Sequence, residues 1–258
     1  MILAVDVGNS QIYGGLFPLT GEEAAFHFRR SSHEGMTTDE LGFFLRGVIR
    51  ENGFDPTQVR DIACCSVVPD LNHTLVSSCH RYFGIDPLML EPGVKTGLKI
   101  RYKDPNAVGA DRIASAVGAM KRYPGRNLII ADFGTASTLD VVTAGKEYLG
   151  GAIFPGLRIS MQVLETRTAK LPTVAIAVPK AACGQTTEES IQAGLYYAAV
   201  GAVKELTARI TAERFAGEKP LIIATGGFAG MLNHTGVWDN IHPVLVLEGL
   251  ITILEMNR

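Results

Sequence analysis

The sequence has little of what would mark a membrane, nucleic-acid or metal-centred protein. No apolar run approaches the roughly 20 residues that a membrane span requires, although the mean hydropathy of +0.17 is slightly high for a soluble protein. Lys and Arg gather into no stripe: 24 basic and 26 acidic residues leave a formal net charge of −2, which argues against a broad nucleic-acid surface. The four cysteines, Cys64, Cys65, Cys79 and Cys183, contain no CxxC spacing. Neither a zinc site nor a redox pair is supported, and all four read as buried, reduced thiols of a cytoplasmic protein. The six histidines, His27, His33, His73, His80, His234 and His242, stand in no paired-ligand or triad spacing. Met1 to Asp6 has no basic region and meets an acid at once, so it reads as a strand rather than a signal peptide.

What is present is a globular composition, 47% hydrophobic and 19% charged over 258 residues. That is enough for one large domain or two of about 130 residues each, with a well-buried core in either case. Short β-rich runs come first, at Ile2 to Val7, Ile12 to Phe17 and Ala24 to Arg29, and the turn residues between them suggest antiparallel neighbours. A helix is expected from about Thr38 to Asn52-Gly53, then a strand over Asp61 to Val68, a helix over Leu71 to Phe83 and a short strand over Pro87 to Leu90. Another helix runs from about Asn106 to Tyr123. The pattern then restarts with strands at Asn127 to Asp132, Thr138 to Val142 and Gly150 to Phe154. A long helix from about Glu188 to Phe215 follows, then apolar strands at Leu221 to Ala224 and Val244 to Leu247 and a short closing helix.

Two α/β halves are therefore expected. Leu3-Ala4-Val5-Asp6-Val7-Gly8-Asn9-Ser10 aligns with Ile129-Ile130-Ala131-Asp132-Phe133-Gly134-Thr135-Ala136, about half the chain away. Each has an apolar strand, an Asp, one residue, a Gly and a polar residue, which makes an internal duplication a serious reading.

Such a strand end suits nucleotide phosphates. Gly8 permits a tight turn and close backbone approach, and amide hydrogens with the Ser10 hydroxyl can face anionic oxygens. Asp6 needs a cation before it can help bind phosphate, so Mg²⁺ is its expected partner. The same pattern also fits an ordinary hairpin turn. Asp132, Thr135, Ser137 and Thr138 make a second, hydroxyl-rich loop, although Thr138 equally suits a strand. Thr225-Gly226-Gly227 ends an apolar strand, where either a ligand or a plain tight turn would fit. Gly109-Ala110-Asp111-Arg112 opens a helix. The dipole alone favours an acid there, but an Arg at that end gains nothing from it. A carboxylate that accepts a hydroxyl proton beside a guanidinium that holds an anion would explain both, and phosphoryl transfer asks little more of its acceptor.

Together with Gly150-Gly151-Ala152-Ile153-Phe154-Pro155-Gly156, these motifs resemble the type III pantothenate kinases over essentially the whole chain. The Asp-x-Gly and Gly-Gly pieces are shared across actin-like ATPases, whereas GADR with GGAIFPG is specific to that family. The resemblance implies a duplicated ribonuclease H-like (actin-like ATPase) α/β fold, with halves at 1–115 and 116–258 and a cleft between them. It implies ATP-dependent phosphorylation of pantothenate, with Mg²⁺ and a monovalent cation, K⁺ or NH4⁺. Residues Asp6, Val7, Gly8, Asn9, Ser10, Gln11, Ile12 and Tyr13 would form the first ATP-phosphate loop, and Thr135, Gly226 and Gly227 would also meet ATP. Asp111 would accept the proton, Tyr102, Gly109, Ala110, Arg112 and Thr187 would contact pantothenate, and Asp132 would hold the monovalent cation. A homodimer with sites at the subunit interface, no nucleic acid and no membrane are further implications. One departure is Ser10-Gln11-Ile12, where relatives commonly have Thr-x-Thr: Ile12 lacks the hydroxyl. Thr186-x-x-Glu189 is also a capping box for the long helix, compatible with a ligand contact from Thr187.

Overall fold

The computed structural model describes residues 1–20, 23–33 and 35–258, with the side chain of His234 outside the described set. The first sheet is built from β1 (Ile2–Val7), β2 (Gln11–Phe17), β3 (Phe26–Ser31), β4 (Asp61–Ser66) and β5 (Leu88–Met89), in the order β3-β2-β1-β4-β5. β1, β2 and β3 are antiparallel neighbours, as the turn residues imply, and β4 and β5 continue the sheet in parallel. Parallel strands need crossovers, supplied here by α1 (Thr38–Glu51) and α2 (Pro69–Phe83). Thr37 and Glu40 close a full capping box at the start of α1, and Gly84 ends α2 in the left-handed region at φ 68°.

After the two-residue β6 (Lys99–Ile100) comes α3 (Ala110–Arg122), preceded by a 3-10 turn at Pro105–Ala107. The strand pattern then repeats. β7 (Leu128–Phe133), β8 (Ala136–Val142) and β9 (Glu147–Pro155) are antiparallel. α4 (Leu157–Arg167) and the 28-residue α5 (Thr187–Arg214) lead to β10 (Leu221–Thr225), then β11 (Asn240–Ile241), both parallel to β7. The second sheet runs β11-β10-β7-β8-β9-β6. Apart from β6 at its edge, it repeats the first strand for strand, so the duplication read from two eight-residue segments extends to the topology of both sheets.

The chain divides into two compact units: Met1–Leu98 with Lys103–Arg122 and Leu245–Arg258, and Lys99–Tyr102 with Tyr123–Val244. This is not the single division at 115/116 expected from the sequence. α3 runs through that point unbroken, and α6 (Leu245–Asn257) belongs with the first unit. The Val244 to Leu247 segment expected as a strand is the entry to α6. Nine of its residues between Leu245 and Leu254 are buried, so its apolar run shows no helical stripe from which to tell it from a strand.

In the first unit, one face of the sheet (Leu3, Val5, Val7, Ile12, Leu16) packs with Leu41, Leu45 and Ile49 of α1 and Leu71 and Leu75 of α2. The other face receives α3 and α6. These two helices cross at glycines: a Cβ on Gly249 would collide with the Ala114 carbonyl oxygen, and one on Gly118 with the Leu245 carbonyl oxygen. Arg122 pairs with Glu248 at 2.5 Å and Lys121 with Glu255 at 3.0 Å, pinning the same two helices. In the second unit, Ile129, Ala131, Leu139 and Val141 pack against Leu195, Ala199 and Val203 of α5.

Adding a methyl group at two helical glycines should therefore act with opposite signs. Gly249→Ala forces α6 off α3 and should lower stability by about 1–3 kcal/mol, as overpacking does. Gly201→Ala, on the exposed side of α5 with open space around it, should raise stability by up to about 1 kcal/mol. Urea denaturation of both variants measures the contrast.

Candidate active site

The first loop sits where β1 turns into β2. Gly8 N–H donates to the Gln11 carbonyl at 3.0 Å, and a Cβ on Gly8 would come within 3.2 Å of that oxygen. Ser32, just beyond β3, ties the loop down: its hydroxyl donates to the Gly8 carbonyl at 2.7 Å and its N–H to the Ser10 carbonyl at 3.1 Å. Asn9, Ser10 and Gln11 are exposed. Val7 and Ile12 are fully buried in the core on the opposite face, so only their backbone can serve a ligand. The missing hydroxyl at Ile12 therefore belongs to a side chain that points away from the loop.

Asp6 faces Tyr13 across β2 and Cys65 across β4. The Cys65 thiol donates to Asp6 Oδ1 at 3.2 Å. Burial first, and then the Asp111 carboxylate, push the Asp6 carboxyl up to about 7, against the opposite pull of the Cys65 hydrogen bond and the Arg29 charge. Burial, with the charges of Asp6 and Asp111, also holds the Cys65 thiol well above the usual range, so it stays a neutral donor. Asp111 stands in the first turn of α3, where its Oδ1 accepts the Arg112 N–H at 2.8 Å. A Cβ on Gly109 would lie 2.6 Å from that oxygen, which explains the glycine. Arg112 is buried beside it. The structure thus brings Asp6, Asp111 and the Gly109 to Arg112 motif into one acidic centre. It adds Cys65, which a reading of cysteines by spacing alone passed over. Cys64, its neighbour, points into the core, whereas Cys183 is exposed rather than buried.

In the second unit, Asp132 faces Thr138 on β8 and Thr225 on β10, the counterpart of Asp6 between β2 and β4. Gly226 at φ 89° leaves room for its carboxylate: a Cβ there would collide with Asp132 Oδ1. Gly156 does the same for the loop backbone, since a Cβ would meet the Gly134 and Thr135 carbonyl oxygens. This gives the last glycine of GGAIFPG a structural tie to the second loop. Thr135 is half-buried and Gly227 exposed. The other hydroxyls are committed. Ser137 is buried, Thr225 donates to the His242 carbonyl at 2.7 Å, and Thr138 donates at 3.0 Å to the buried Asp140, which also accepts from Tyr148.

Tyr102 lies against Gly150, whose φ of 105° keeps that face free of a side chain. Thr187 is exposed at the start of α5, on a mostly apolar cavity of about 890 Å³ that also involves Phe154, Leu157, Leu171 and Leu195. Thr186 caps α5 by accepting the Glu189 N–H at 3.2 Å, but Glu189 reaches back to the Gln185 N–H and not to that of Thr186, so the box is offset by one residue. No group of three or more His, Cys, Asp or Glu side chains placed to hold a metal ion is found among the described residues. A cation at Asp6 or Asp132 would take its other ligands from backbone, phosphate or water oxygens, as hard cations readily do.

A family model described as type III pantothenate kinase matches residues 2–209. A type III pantothenate kinase from Legionella pneumophila (strain Corby) is 51% identical over 257 residues, covering 100% of this chain and 99% of the relative. One from Elusimicrobium minutum is 48% identical with the same coverage. Among solved structures, a Sinorhizobium meliloti protein described as a 2-dehydro-3-deoxygalactonokinase superposes with a TM-score of 0.63 at 13% identity, over 99% of this chain and 96% of that one. A Listeria monocytogenes protein described as an N-acetylmannosamine kinase does so at 0.53 and 14%, over 100% and 99%. The solved structures share the α/β fold of this chain over nearly its whole length.

The Asp6 environment carries a pH signature. The unfolded chain ionises this carboxyl near 3.8 and the folded chain near 7. Between those values the native state holds a proton that the unfolded state lacks, so stability falls as pH rises from about 4 to about 7. Without divalent cation, the melting temperature should decline across that window, and Asp6→Asn should flatten the decline. An unchanged slope in the variant would assign it to other groups.

Proposed function

Because the chain belongs to the type III pantothenate kinase family, we infer that it phosphorylates pantothenate with ATP, the first step toward coenzyme A. What supports the assignment of roles is the charge of Asp111 acting on Asp6 at the end of β1, with the buried Arg112 next to Asp111 in the chain. In the reaction, a bond forms between the pantothenate hydroxyl oxygen and the terminal phosphorus. The bridging P–O bond breaks, its electron pair leaves with ADP, and the hydroxyl proton passes to Asp111. Such transfer depends on positioning and charge neutralisation more than on a strong base.

The loop from Asp6 to Tyr13 cradles the ATP phosphates through backbone N–H groups and the exposed Asn9, Ser10 and Gln11. The Asp111 carboxylate raises the proton affinity of Asp6, and Mg²⁺ held at Asp6 would neutralise the pair together with phosphate charge. Gly109, Ala110 and Arg112, with Tyr102 and Thr187, line the pantothenate. The half-apolar character of that substrate suits the cavity at Thr187. Asp132 holds a monovalent cation, K⁺ or NH4⁺, a role supported by the close approach of Gly134 and Gly226 to its carboxylate. Thr135, Gly226 and Gly227 serve the nucleotide. Exposed Ile153, Val163 and Tyr197 on β9, α4 and α5 support a homodimer. A cytoplasmic setting accords with the unpaired thiols, and no helix among the described residues is long and apolar enough to cross a membrane.

Purified protein with ATP, Mg²⁺ and K⁺ should phosphorylate pantothenate, and Asp111→Asn should cut kcat by about 10²–10⁴-fold while the melting temperature holds. Near-normal turnover in the variant would remove Asp111 from the proton-acceptor role. Robust turnover of sugars with none of pantothenate would overturn the substrate. Replacing K⁺ by Na⁺ should lower activity in steady-state assays, and indifference to the swap would count against a cation at Asp132.

A further inference from the structure

The registers of the first sheet align four side chains in one row: Cys65 on β4, Asp6 on β1, Tyr13 on β2 and Arg29 on β3. Strand alternation puts the row on the face opposite Val7, Ile12 and Phe28, which lie in the core. Arg29 has no role in the chemistry described so far. Its guanidinium carbon sits 4.0 Å from the Tyr13 ring centroid, and Nη1 donates to Gln11 Oε1 at 3.3 Å. Both partners are neutral, so the positive charge remains available, and the residue is exposed. Its field reaches Asp6.

The first loop needs such a charge. Residues 6–13 contain no Lys or Arg, yet they are to receive a triphosphate beside two carboxylates. Stacking on a ring and bonding to the loop's own Gln11 hold the planar fork in place, so less rotamer freedom is lost when it meets an anion. We propose that Arg29 binds the terminal phosphate of the nucleoside triphosphate at the first loop and stabilises its charge as the phosphoryl group passes to the acceptor hydroxyl. The proposal rests on the reading of residues 6–13 as the phosphate loop of a kinase.

The test compares the full chain with Arg29→Gln and Arg29→Lys in two ways. Calorimetry with Mg²⁺ measures affinity for a non-hydrolysable ATP analogue and for ADP, which requires no acceptor turnover. The preference for triphosphate over diphosphate should fall about tenfold in Arg29→Gln, the loss of one charge-assisted hydrogen-bonding group, and partly return in Arg29→Lys. In the pantothenate assay, kcat should fall by about 10²-fold in Arg29→Gln, with KM for pantothenate and the melting temperature unchanged. An undiminished triphosphate preference together with a normal kcat would overturn the proposal. A loss confined to KM for pantothenate would also overturn it, by assigning Arg29 to the acceptor's carboxylate. So would a drop in melting temperature that tracks the activity loss, which would reduce Arg29 to support for Tyr13. If the wild type does not phosphorylate pantothenate, the substrate reading fails, and the triphosphate preference still decides the role of Arg29.

Discussion

The crossing of α3 and α6 at Gly118 and Gly249 fixes where the first turn of α3 stands over the β1–β4 sheet, and so where Asp111 stands. Each helix presents a glycine at the crossing, and each glycine lies against a carbonyl oxygen of the other helix. Arg122 to Glu248 and Lys121 to Glu255 lock the pair further along. Close packing of this kind transmits displacement, because interiors have no slack in which to absorb it. The acid expected to accept the proton is therefore held by backbone contacts at Ala114 and Gly118, about one and two turns further along the same helix.

At the end of β1 this placement creates a local imbalance of charge. Burial and the Asp111 charge raise the cost of ionising Asp6, and the fold answers with partners of graded strength: a neutral thiol from Cys65 and a cation at Arg29. The partners lie in one row because parallel and antiparallel registers meet on β1. Burial makes each electrostatic interaction at this acidic centre stronger than it would be in water.

Most of this was legible in local patterns. The short β-rich runs, the Thr186 cap of α5 and the paired Asp-x-Gly turns pointed to the duplicated fold, since each depends on neighbours in sequence. What stayed hidden depends on distance along the chain. The apolar run of α6 is buried nearly all round, so it carries no stripe and resembles a strand. Cys65 acquires its role only through pairing with β1, and Arg29 only through the row that β2 continues. Conversely, Ser137 and Thr138 look like phosphate donors in sequence, but the fold buries the first and ties the second to Asp140. The division at 115/116 misplaced α6 because nothing in its composition says which sheet it covers.

The return of α6 to the first unit has a consequence for how the protein is made. Translation delivers β1 to β5 well before α6, yet the face of that sheet carrying Ala4, Gly15 and Ala63 is only partly covered by α3 until residues 245–258 have emerged. The unit formed mainly by residues 123–244 can close earlier, as domains generally fold while the chain is still being synthesised. The half that is synthesised first is thus completed last. Until then its apolar surface, with the acidic centre beside it, stays open to chaperones and to aggregation, and the last helix acts as the latch that ends this interval.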